Sequence, residues 1–213
     1  LIQADLDNIR AAWRWAIEQG KTEALAQGLA CLSAFYEFVG FFQDARLMLA
    51  EASDAVRPLT AKTEQPALDL LLGNLLSEQA GFCVHLNQLE EACQLARHVM
   101  HLGEQRQHGY LQADGRRRLG AALKELGELT TAITLLEEGL ALARQENLPR
   151  VMALCLHNMG MLHYRQGEYR KALVHYQEAL TITQQIGDQI TESPLAHNIG
   201  ITYLVLGDFT QAL

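Results

Sequence analysis

Four alanines, Ala92, Ala132, Ala172 and Ala212, stand 40 residues apart, and the segments around them superpose without a gap. Each closes a similar phrase: Asn87-Gln88-Leu89-Glu90-Glu91, Gly127-Glu128-Leu129-Thr130-Thr131, Gly167-Glu168-Tyr169-Arg170-Lys171 and Gly207-Asp208-Phe209-Thr210-Gln211. Upstream of the last three phrases lies a large-small pair, Leu119-Gly120, Met159-Gly160 and Ile199-Gly200. A fixed interval of this size restricts the chain to stacked copies of one supersecondary unit, each burying its apolar face against its neighbours. The small residues mark where two antiparallel helices approach at the short end of the usual ~8–10 Å range.

The set Met159, Gly160, Gly167, Glu168, Tyr169, Ala172, Tyr176 and Ala179 resembles the signature of the tetratricopeptide repeat (TPR) family. The resemblance implies an all-α solenoid, a superhelix of antiparallel helix pairs with about eleven helices, the last incomplete. The usual unit is about 34 residues, so a 40-residue unit adds roughly six, more than one helical turn. This longer form is similar to the repeats of spindle-orientation and kinesin-light-chain adaptors and of bacterial signalling regulators.

Apolar residues at helical spacing predict the elements in order. Helices are expected over 2–19, 22–39, from 42 onward, 67–86, 88–102, 109–126, 128–144, 150–166, 168–185 and 191–206, with a further one beginning at Asp208. The interval from Ala45 to Ala92 is 47, seven more than the later repeat. The excess is assigned to residues 58–66, where Pro58 and Pro66 bracket polar residues, which is loop chemistry. The expected organisation is therefore 1–57 as N-terminal TPR-like helices, 58–66 as an inserted loop, and 67–213 as an array of strict period. Asn147 and Gly187 sit where a left-handed helix stop is wanted. Pro194 suits a first helical turn if Thr191 is the cap, and bends the helix if the start is Asp188.

Composition removes several classes of function. Seventeen basic against 25 acidic residues, net charge −8, disfavour bulk binding to a phosphate backbone, so no direct nucleic-acid contact is expected. No run approaches the ~20 apolar residues of a membrane span. Four scattered cysteines without CxxC spacing read as reduced thiols, which places the chain in the cytoplasm. No nucleophile turn, HExxH motif or glycine-framed carboxylate pair is present, so the chain is expected to be non-catalytic, without cofactor or metal.

The block Asp7-Asn8-Ile9-Arg10-Ala11-Ala12-Trp13-Arg14-Trp15-Ala16, with the aromatic-rich Phe35-Tyr36-Glu37-Phe38, resembles the segment that follows the nucleotide-binding modules of bacterial signal-transduction ATPases of the STAND class. The ATPase residues of that family lie upstream of such a segment. The start at Leu1 and the stop at Leu213 inside an expected helix read as a piece of a longer protein. Gly20-Lys21-Thr22 is no phosphate loop, because Trp15 stands where that motif needs glycine.

In TPR arrays the first helix of each pair lines the concave groove. Carried over position by position, the resemblance turns inward Arg117, Arg118, Ala121, Lys124 and Glu125; then His157, Asn158, Met161, Tyr164 and Arg165; then His197, Asn198, Ile201, Leu204 and Val205. The candidate partner-binding residues are Arg117, Arg118, Lys124, His157, Asn158, Tyr164, Arg165, His197 and Asn198. An amide offers donor and acceptor together, so Asn158 and Asn198 either hold an extended peptide backbone or bond the neighbouring hairpin. Arg117, Arg118 and Arg165 form either an anion-friendly patch or a solvated face. Arg117, His157, Ala121 and Met161 depart from the co-chaperone carboxylate clamp. Three functions stay open: a sensor or interaction array of a bacterial signalling ATPase or transcription regulator, in contact with its own ATPase domain or another protein; a free-standing peptide-binding adaptor; and a small-effector site. End-to-end self-association is expected through Ile199, Val205 and Phe209.

Overall fold

The computed structural model describes residues 2–62 and 65–212, with side-chain surroundings from Leu6 onward. Its regular elements are α1 (Ile2–Glu18), α2 (Thr22–Val39), α3 (Phe42–Lys62), α4 (Pro66–His85), α5 (Leu89–Gln105), α6 (Gly109–Leu126), α7 (Leu129–Gln145), α8 (Pro149–Arg165), α9 (Tyr169–Ile186) and α10 (Gln189–Leu206). Ten helices, not eleven, occur among the described residues. Residues 208–212 form turns, with one capping bond from the Gln211 N–H to Asp208 Oδ1 at 3.3 Å. Five residues close too few backbone bonds to offset helix nucleation.

The cadence is finer than 40. Backbone φ is positive at Asn87, Gln107, Gly127, Asn147, Gly167, Gly187 and Gly207, one stop every 20 residues. After each stop the next N–H reaches back five residues: Gln88 to the Cys83 carbonyl at 2.8 Å, His108 to Gly103 at 2.8 Å, Leu148 to Ala143 at 2.8 Å, and likewise to Asp208 and Tyr203 at 3.0 Å. This is the helix stop in which a left-handed residue lets the following N–H satisfy a terminal carbonyl. Gln107 holds that conformation with a Cβ, which costs ~1 kcal/mol. Gln107→Gly is therefore expected to raise stability by roughly 0.5–1 kcal/mol, measurable as a Tm increase of ~1–4 °C.

The expected loop at 58–66 is shorter than the prolines suggest. Helix α3 continues through Pro58 to Lys62, α4 starts at Pro66, and residues 63–64 of that stretch lie outside the described residues. Proline inside a helix removes one backbone bond, but the last turn is held from outside. Val56 and Thr60 are buried, and Arg106 at the end of α5 donates from Nη2 to the Thr60 carbonyl at 3.2 Å. The same guanidinium pairs through Nε with the buried Asp69 of α4 at 3.1 Å. One side chain thus ties the end of α3 to the start of α4.

The chain divides into two compact units, Leu1–Leu111 and Gln112–Leu213. In the first, Trp13 donates from Nε1 to the Met48 carbonyl at 3.1 Å, and Tyr36 is fully buried. Helix α4 is buried along most of its length: Leu75, Leu76, Phe82 and Cys83 are at most 1% exposed, and Asp69, Ser77 and Gln79 are buried with them.

In the second unit, residues 112–126 of α6 share a layer with α8 and α10, and α7 and α9 form the other. Leu119, Leu123, Leu136, Met159 and Tyr176 are buried between the layers, each aliphatic side chain contributing about 1.5–3 kcal/mol. Leu129, Tyr169, Ile199 and Tyr203 are only half-buried. Helix α10 is capped by Asp188, whose Oδ1 accepts from the Thr191 N–H at 3.2 Å and Oδ2 from the Thr191 hydroxyl at 2.8 Å. Pro194 therefore lies inside the helix, on its exposed side.

Candidate functional site

The layer of α6, α8 and α10 is cross-linked by polar bonds between successive first helices. Lys124 of α6 donates from Nζ to Asn158 Oδ1 of α8 at 3.3 Å, and Asn158 Nδ2 turns back to the Leu154 carbonyl at 2.8 Å. One step on, Asn198 Nδ2 of α10 donates to His157 Nε2 of α8 at 2.8 Å. The repeated asparagines thus bond the neighbouring hairpin. Asn198 keeps its Oδ1 and second N–H without a partner among the described residues.

Charge concentrates at the end of α6. Lys124 is 3% exposed, with its ammonium 3.2 Å from Glu125. Burial pulls the Lys124 ammonium below its ordinary range, with Glu125 opposing and Arg165 reinforcing. For Glu125, burial pushes upward but is outweighed by the hydrogen bond from Arg165 and by Lys124, so its carboxyl titrates low. Arg165 donates from Nη1 to the Lys124 carbonyl at 3.1 Å and from Nη2 to Glu125. Its side chain stays 43% exposed, with further N–H groups available. Tyr164 packs edge-on against Tyr169 at 5.2 Å, and His197 is exposed.

Arg117 is placed differently from its expected role. It is 5% exposed and spends Nε and Nη2 on Asp114 Oδ1, at 2.7 and 2.5 Å. It is a buried ion pair, not a groove side chain. Asp114 was missed in the sequence, although its i,i+3 spacing to Arg117 is a helical pairing signal. Arg118 is half-buried on the next position of α6, and Arg116 reaches Glu138 of α7 at 3.3 Å. A second histidine arrangement also went unread: His163 bonds Glu168 at 2.7 Å and stacks on His175 at 5.1 Å and 8°. Of the four cysteines, Cys83, Cys93 and Cys155 are buried and Cys31 is exposed, all as free thiols.

Burial, and then the nearby Lys124 charge, lower His157 to about 4 from 6.5. The unfolded chain binds a proton near pH 6.5 that folded His157 refuses until about pH 4, so this contribution is complete above 6.5 and lost as the pH falls to 4. Between pH 7.5 and 5 the expected loss is about 2 kcal/mol. His98 and His175 are lowered, mainly by burial, and act in the same sense. Urea denaturation across this range is expected to give His157→Gln a shallower acid limb than the parent; parallel limbs would contradict the assignment.

Helices on a 20-residue cadence, paired into 40-residue hairpins with one polar face on their first helices, define a helical-hairpin repeat array. Residues 151–213 match the family model described as tetratricopeptide repeat, and the hairpins before them keep the same cadence of helix stops. The 43 kDa receptor-associated protein of the synapse from Tetronarce californica is 30% identical over 122 residues, 55% of this chain and 29% of that protein. This chain spans under a third of the length of the curated relatives it matches. Among solved structures, BtubC of P. vanneervenii superposes with a TM-score of 0.68 at 19% identity, over 97% of this chain and 86% of that one. A Signal Transduction ATPase with Numerous Domains (STAND) protein with a tetratricopeptide repeat sensor, from Pyrococcus horikoshii, gives 0.54 at 19% identity, over 96% of this chain and 35% of that one. At these identities the likeness is one of fold. No described helix is long and apolar enough to cross a membrane.

Proposed function

We propose that this chain is the non-catalytic sensor or partner-binding array of a larger bacterial signalling ATPase or transcription regulator. The observation that carries the reading is the inner layer of the second unit. Its half-buried Lys124–Asn158 and His157–Asn198 bonds tie successive first helices together, while Arg165, His197 and one edge of Asn198 face outward. Rigid elements presenting unspent polar groups are what recognition requires. The likeness in fold to part of a STAND protein that carries a tetratricopeptide repeat sensor supports the signalling context, as does the Trp- and Arg-rich block from Asp7 to Ala16. Such an array regulates a neighbour only when its ligand prefers one state of that neighbour.

The test uses the whole gene product. Nucleotide hydrolysis is measured for the parent and for Arg165→Gln combined with Asn198→Ala, with circular dichroism to verify the fold. A changed hydrolysis rate at unchanged helicity is the expected result. Absence of nucleotide hydrolysis from the whole product would overturn the ATPase context and favour a free-standing adaptor. That second reading draws on the similarity to the 43 kDa receptor-associated protein of the synapse.

A further inference from the structure

The pairing of α7 with α9 has a counterpart in the first unit, between α3 and α5. These four helices align on the buried alanines Ala45, Ala92, Ala132 and Ala172. Arg144 of α7 stands twelve places after Ala132, Glu178 of α9 six places after Ala172, and the arginine donates from Nη2 to the carboxylate at 2.8 Å. The same offsets from Ala45 and Ala92 give Arg57 on α3 and His98 on α5. Those two helices are held side by side by Arg46 to Glu91 at 2.8 Å near their starts and by Arg106 to the Thr60 carbonyl at 3.2 Å near their ends. Burial lowers the His98 imidazole, and the charges of Arg57 and then of His101, one turn along α5, lower it further. Among the described residues no carboxylate offsets them. Asp54, one turn before Arg57, is exposed and forms no ion pair with it.

We infer that Arg57, His98 and His101 form a binding site for a phosphoryl group, free or as the monoester of a small molecule, in the place that Glu178 fills against Arg144. The guanidinium is the fixed cation, and its parallel N–H groups match two phosphoryl oxygens. The imidazoles supply N–H donors to a third oxygen, and each gains a charge when it binds a proton near neutral pH. A carboxylate neutralises one positive charge. A phosphoryl group, whose second pKa is about 6, matches the guanidinium and a protonated imidazole together. Arg57 and His101 are exposed and His98 is half-buried, so the group enters from solvent. On a chain of net charge −8 the overall field repels anions, and recognition therefore depends on these three side chains. The site lies apart from the inner layer and does not rest on the signalling reading.

The whole gene product is treated with diethylpyrocarbonate, which modifies neutral imidazole, and the rates at His98, His101 and the exposed His197 are read by peptide mass spectrometry. Inorganic phosphate replaces chloride at constant ionic strength. His98 and His101 are expected to be protected together, about fivefold at a phosphate concentration about four times Kd, with His197 unchanged. Methyl phosphate is the second probe. Protection at lower concentration than inorganic phosphate assigns the site to a monoester, and the reverse order assigns it to free phosphate. Arg57→Gln should remove the protection of both histidines. His98→Glu, which supplies the carboxylate that Glu138 and Glu178 provide in the later repeats, should remove the protection of His101. Circular dichroism verifies that each variant folds. Absence of protection in the parent, or protection that survives Arg57→Gln or His98→Glu, would overturn the inference. So would equal protection of His197, which would place the effect of phosphate in bulk solution.

Discussion

Gly160→Val is expected to lower stability by about 3 kcal/mol, a Tm loss of roughly 6–12 °C for a chain of this size. A Cβ on Gly160 of α8 would lie 2.4 and 2.5 Å from Cε1 and Cδ1 of Tyr176 on α9, and 3.0 Å from Cζ. Tyr176 is 2% exposed, and a packed aromatic ring has no empty direction in which to move. Even Gly160→Ala, which gains up to ~1 kcal/mol of helix propensity, is expected to lose overall, because overpacking costs more. Gly160→Ala combined with Tyr176→Leu should recover part of the loss. Thermal unfolding followed by circular dichroism decides it; alanine tolerated at 160 without loss would mean that α8 and α9 are not in contact there.

Arg117→Met should cost about 3 kcal/mol by leaving the 3% exposed Asp114 carboxylate without its guanidinium. Replacing both partners, Arg117→Met with Asp114→Leu, should restore most of the stability, since apolar substitutes of similar volume are often as stable as a buried pair. Both tryptophans, Trp13 and Trp15, lie in the first unit, so the readout is circular dichroism in urea rather than fluorescence. The same Arg117 variant is expected to leave partner affinity unchanged. A loss of affinity at full stability would return Arg117 to the binding face.

The hairpin order was legible because the repeat writes it in the residues that cannot vary freely. Gly160 announces the close approach to Tyr176, and Gly127, Gly167 and Gly187 announce left-handed stops. Gln107 adopts the same backbone without the residue type that signals it, so the 20-residue cadence emerged only in three dimensions. Pro58 misled in the other direction. Local chemistry argued for a loop, but Arg106, some 48 positions later in the chain, bonds the Thr60 carbonyl and holds the helix. The binding layer was legible as positions, since the repeat assigns them, and illegible as contacts. Asn158 and Asn198 are spent partly on their neighbours, and Arg117 turns to Asp114, because partners 3, 34 or 41 residues apart are chosen by packing.

The most direct test of the inner layer as the recognition surface is site-specific photo-crosslinking in the whole gene product. A photoreactive amino acid is placed at His197 on α10 and, for comparison, at Lys171 on the opposite layer, where the side chain is also exposed. Crosslinks formed from position 197 and absent from 171 are the expected result, and their mass says whether the partner is the same polypeptide or another. Crosslinks from position 171 alone would place recognition on the α7 and α9 layer and contradict the assignment.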